Sequence, residues 1–96
     1  MKKYIYIDDL REPLIPEAEW VKTYDEAISV LQRIPKGCYL SVDFDHDLGS
    51  DRTGYDIALW LVKNEYTGRF RVHSMNPVGR NNIRSLLTHY GWTEFY

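Results

Sequence analysis

Tyr39-Leu40-Ser41-Val42-Asp43-Phe44-Asp45-His46-Asp47-Leu48-Gly49 sets an alternating apolar run directly against a burst of acid. Alternate side chains of a strand point to opposite faces. Leu40, Val42 and Phe44 therefore share one face, and Tyr39, Ser41 and Asp43 share the other. The acids that follow stand where such a strand ends. The same arrangement occurs near the start of the chain, where Tyr4-Ile5-Tyr6-Ile7 runs into Asp8-Asp9. Crowded carboxylates repel, so a folded chain that gathers them needs a cation or a proton among them. In an open parallel sheet, the carboxyl ends of neighbouring strands enclose a crevice that holds ligands. If these two strands are neighbours, Asp8, Asp9 and Asp45 converge in that crevice. Such hard oxygen donors suit Mg²⁺, with Mn²⁺ as the alternative, facing a phosphate.

The rest of the chain alternates strands with helices. Residues 20–22 read as a short strand, and Thr23 with Glu26 matches a capping box for a helix over 24–33. Pro13 and Pro16 argue against a full helix between residues 11 and 19. A second helix spans residues 54–64, with Ile57, Ala58, Leu61 and Val62 as its apolar stripe. A fourth strand covers 69–73, a third helix 79–90 ends at Gly91, and a last short strand covers 92–95. Strands separated by helices favour a parallel α/β sheet with right-handed crossovers. Strands buried on both faces would read as continuous apolar runs. These alternate instead, which predicts helices mainly on one face. The other face, rich in tyrosine, is a candidate homodimer surface.

Composition bounds the rest. Ninety-six residues make one domain, with ordinary apolar (44%) and charged (27%) content. The net charge of −2 gives no strong signal for duplex nucleic acid. Cys38 is the single cysteine, so no intrachain disulfide forms. No run approaches the roughly 18 apolar residues of a membrane span, and Met1-Lys2-Lys3 precedes an apolar stretch too short for a secretory signal. These features predict a cytoplasmic protein without a membrane partner.

The order of acidic and hydroxyl residues resembles a receiver (response-regulator) domain. Asp8-Asp9 matches the acidic pair after strand one, Asp45 the phosphoacceptor after strand three, and Ser74 the hydroxyl after strand four. That resemblance implies a compact flavodoxin-like parallel sheet in the order 2-1-3-4-5. Two departures stand out: there is no lysine after strand five, and the first and fifth helices have no counterpart. In a receiver both of those helices cover the same sheet face. The strings Tyr6-Ile7-Asp8-Asp9-Leu10-Arg11-Glu12-Pro13, Phe44-Asp45-His46-Asp47-Leu48-Gly49, Thr53-Gly54-Tyr55-Asp56 and His73-Ser74-Met75-Asn76-Pro77-Val78-Gly79-Arg80 are more similar to one branch, the cyclic-phosphate processing receiver domain. It implies hydrolysis of cyclic phosphates in RNA repair or phage–host conflict.

Catalytic candidates are Asp45, His46, His73 and Ser74. Histidine is the side chain suited to acid–base work near neutral pH, and these two sit by the acidic loop and the crevice. Candidates for holding the substrate phosphate are Arg11, Asn76, Gly79 and Arg80. The last two open a helix, whose free N–H groups attract anions, and Arg80 adds a planar fork. Each also has a structural reading, as turn, cap or surface ion pair. Asp45-His46-Asp47 also looks like the paired aspartates of haloacid-dehalogenase-type phosphatases, on a fold this chain is too short to build. The functional expectation is a Mg²⁺-dependent phosphohydrolase acting on the cyclic phosphate of a nucleotide or RNA end. The alternatives are a signalling receiver that stores a phosphoryl group and a non-catalytic binder of cyclic nucleotide or protein.

Overall fold

A computed structural model describes residues 2–96. β1 (Lys2–Ile7), β2 (Glu19–Val21), β3 (Tyr39–Phe44), β4 (Thr67–Val72) and β5 (Thr93–Glu94) alternate with α1 (Tyr24–Leu31), α2 (Gly54–Lys63) and α3 (Pro77–His89). The strands form one parallel sheet in the order β2-β1-β3-β4-β5. β1 and β3 are adjacent and in register from Lys2 opposite Tyr39 to Ile7 opposite Phe44. The two acidic bursts therefore leave the sheet side by side.

Burial follows the alternation. Ile5, Ile7, Leu40, Val42, Phe44 and Phe70 are fully buried and join Ala27, Leu31, Ile57, Leu61, Ile83 and Leu87 in one core. All three helices thus pack on the same sheet face. Chain handedness explains why. The connections β2-α1-β3, β3-α2-β4 and β4-α3-β5 step in one direction across the sheet, so right-handed crossovers place their helices together. The β1–β2 connection steps the other way and belongs to the opposite face. There it is a helix-free loop holding Pro13 and Pro16. The opposite face is left to Tyr4, Tyr6, Ser41, Asp43, Arg69 and Arg71.

Element ends shift by a few residues from expectation. α3 begins at Pro77 because Asn76 caps it, its Oδ1 accepting from the Gly79 N–H at 3.0 Å, with proline just inside the helix. Gly91 ends that helix at φ +86°, in the left-handed region glycine tolerates. β4 starts at Thr67 rather than Arg69, since Tyr39 and Leu40 of β3 extend the pairing to Thr67 and Gly68. No helix among the described residues is long and apolar enough to cross a membrane.

Candidate functional site

The site begins as an extension of the sheet. Past the strand ends, Asp8 N–H donates to Val21 O at 3.1 Å, Asp45 N–H to Ile7 O at 2.9 Å, and His73 N–H to Phe44 O at 2.9 Å. The ladder thus continues one residue beyond β1, β3 and β4 and brings Asp8, Asp45 and His73 level. Their ligand atoms lie within 4.8 Å of one another.

Asp8 is fully buried yet saturated with donors. Its Oδ1 accepts from the backbone N–H groups of Leu10 and Arg11, both at 2.8 Å. Its Oδ2 accepts from Arg11 Nε and His73 Nε2, both at 2.9 Å. Burial alone would raise the Asp8 pKa, but these donors outweigh it and hold the carboxyl below its ordinary value. Asp45 is in the opposite situation. Burial and the charge of Asp8 push its pKa up, and the weaker pull of His73, Arg11 and the Asp47 backbone does not restore it. Arg11 Nη2 stands 3.7 Å from Asp45. The two neighbouring carboxyls are thus driven in opposite directions, Asp8 toward its ionised and Asp45 toward its protonated form.

His73 stands between two buried acids. Its Nε2 faces Asp8, and its Nδ1 lies 2.5 Å from Asp43 Oδ1. Its ring stacks on Tyr6, with centroids 5.0 Å apart and planes 1° from parallel. Burial would lower the His73 pKa, but Asp43 and Asp8 together raise it above its ordinary value. His73 and Arg11 thus supply positive charge to the acidic cluster. The sequence puts Asp43 on the tyrosine side of the sheet and leaves it as an alternative to Asp45 for the phosphoacceptor. Its partnership with His73 depends on the register that sets β3 against β4, which no local pattern in either strand specifies.

The remaining candidates take distinct places. Asp9 is outside the group of three and lies by Gly49, where an added Cβ would come within 3.1 Å of its Oδ2. His46 Nδ1 lies 3.0 Å from Asp47 Oδ1, and its ring rests on Gly79 so closely that a Cβ there would meet His46 Cγ at 2.3 Å. Ser74 is buried, and its Oγ accepts from Asn76 N–H at 3.1 Å. Asn76 spends its side-chain oxygen on the α3 cap. Arg80 lines a groove with Arg71 and Arg84.

A divalent cation would be held by Asp45 and by Asp8, which would exchange one of its present Oδ2 donors for it. Carboxylates favour Mg²⁺ or Mn²⁺, whereas His73, with Nδ1 on Asp43 and Nε2 on Asp8, has no nitrogen free for an ion.

A family model described as the cyclic-phosphate processing receiver domain matches residues 3–89. The chain belongs to this family. The match spans both acidic bursts, His73 and the whole of α3. No curated protein and no solved structure gives a significant match. As a cyclic-phosphate processing receiver domain, the chain keeps the five-stranded receiver sheet and leaves one sheet face free of helices.

Proposed function

We propose that this receiver domain is a metal-dependent phosphohydrolase that opens a cyclic phosphate ester in the crevice above Asp8 and Asp45. The observation that carries this reading is the paired state of those carboxyls, level with one another and pushed in opposite directions. Asp8 and Asp45 would hold Mg²⁺ or Mn²⁺, which supplies charge neutralisation and polarises the phosphorus when bound. Asp45, with fewer donors than Asp8, takes the proton of the attacking water as the water oxygen bonds phosphorus. The ring P–O bond breaks, and the departing oxygen receives a proton from His46. His46 suits that task because Asp47 orients Nδ1 and leaves Nε2 unengaged. His73, with both nitrogens turned to Asp43 and Asp8, acts as a buried counter-charge and a positioning residue for Asp8. The Ser74 hydroxyl, which accepts from Asn76, keeps its own proton for a phosphate oxygen.

The test is turnover of a panel of 2′,3′- and 3′,5′-cyclic nucleotides with Mg²⁺ or Mn²⁺. Hydrolysis of at least one, abolished in Asp45→Asn, is the expected result. Stoichiometric labelling by acetyl phosphate without turnover would instead identify a signalling receiver. Binding without turnover that survives Asp45→Asn would identify a non-catalytic binder.

A further inference from the structure

Beyond the carboxyl end of β4, between α3 and the last residues, lies a groove of about 330 Å³. Three arginines line it, and they are not equivalent. Arg84 is neutralised, its Nε 3.0 Å from both oxygens of Glu94. Arg71 and Arg80 have no ion-pair partner among the described residues. Arg80 Nε is moreover buried without any hydrogen-bond acceptor. A buried charged donor left unpaired is costly, and native folds rarely keep one without a use. In a chain of net charge −2, two unpartnered guanidinium groups in one groove mark a place for an anion. The planar fork of arginine selects phosphate through paired N–H bonds.

The groove is also placed to serve the site already described. Arg71 lines both this groove and a cleft of about 270 Å³ on the helix-free sheet face, which His73, Asp43 and Tyr6 also line. Arg71 and His73 are two residues apart on one side of β4, a rise of roughly 6.6 Å. Arg71 is thus the side chain shared by this groove and the cleft beside the acidic centre, where the next anionic group of a bound ligand would meet it. We propose that the Arg71–Arg80 groove is a second phosphate site, holding the phosphodiester that precedes the terminal phosphate of an oligonucleotide seated at Asp45. This rests on the proposed function and refines it: the domain reads the end of a nucleic-acid strand in preference to a mononucleotide.

The experiment is equilibrium binding of uridine 3′-monophosphate and of the dinucleotide UpUp, which adds one phosphodiester. The dinucleotide is expected to bind about tenfold tighter or more. Its logarithmic salt dependence is expected to be steeper by about 0.7, the value for one single-strand phosphate contact. Arg80→Gln, and separately the exposed Arg71→Gln, should erase both differences, with thermal melting confirming that each variant is folded. Equal affinities and equal salt slopes, with the mononucleotide still bound, would overturn this inference and leave the proposed function standing. Competition at the groove by an acidic peptide but not by UpUp would also overturn it, in favour of a protein partner. Failure of both nucleotides to bind, with no turnover of the cyclic panel, would remove both readings together.

Discussion

Removing Asp43 tests whether the buried acid–imidazole–acid chain is what holds the site together. Asp43 Oδ1 lies 2.5 Å from His73 Nδ1, and the two side chains are only 7% and 13% exposed. Breaking a fully buried ion pair costs about 3–5 kcal/mol, whereas losing one hydrogen bond to a charged group costs about 1.5–3 kcal/mol. The smaller range applies to Asp43→Ala. His73 keeps Asp8 on Nε2 at 2.9 Å and can shed its proton, so no naked charge is left inside. At roughly 4–8 °C per kcal/mol for a domain of this size, the melting temperature drops by roughly 6–24 °C. Asp43→Asn retains a neutral acceptor and loses about half as much. The assays are urea unfolding followed by tryptophan fluorescence and an NMR titration of the His73 ring. In both variants the His73 pKa should fall, because Asp43 is the largest influence holding it up. An Asp43→Ala protein that unfolds within about 0.5 kcal/mol of the parent, with the His73 titration unchanged, would show that Asp43 does not hold the site together.

Three further outcomes follow from the same geometry. His73 is raised above 6.5, so its contribution to stability is complete below that value and is lost as pH rises through its folded-state pKa. Without divalent ions, melting temperature should fall from pH 6.5 upward, and His73→Gln should flatten the fall; a level parental profile would contradict the assignment. Gly79→Ala would drive a methyl to 2.3 Å from His46 Cγ, forcing the ring aside. Because a side chain yields more easily than backbone, stability should change by less than about 1 kcal/mol, while turnover falls by about 10²-fold; unaltered turnover would remove His46 from the chemistry. Saturating Mg²⁺ or Mn²⁺ at about 100 times its dissociation constant should stabilise the domain by about 2.7 kcal/mol, read as a thermal shift. That shift should vanish in Asp8→Asn and Asp45→Asn.

Much of this molecule is legible from short-range pattern. Alternation in Tyr4–Ile7 and Tyr39–Phe44 marks each strand and its buried face, and Thr23 with Glu26 marks the start of α1, because such signals act within a few residues. Proline in the β1–β2 connection and the absence of an apolar run on Tyr4, Tyr6, Ser41 and Asp43 foretell the face without helices. The start of α3 was misplaced by two residues because Asn76 and Pro77 cap a helix as readily as they make a turn. The early start of strand four is hidden in the sequence because Gly68, a poor strand former, separates Thr67 from the run at Arg69, and both are drawn in by pairing with β3.

The candidate site divides along the same line. That acids gather at strand ends, and that this demands compensating positive charge, is a matter of residue type and position along the chain. Which charge answers it is a matter of register. Pairing of Ile7 with Phe44 and of Phe44 with Val72 sets Asp8, Asp45 and His73 abreast, turns Asp43 to His73, and leaves Asp9 aside. Hydrogen-bond register joins residues far apart in the chain, so only the assembled sheet decides which carboxyl is saturated with donors and which remains free to react.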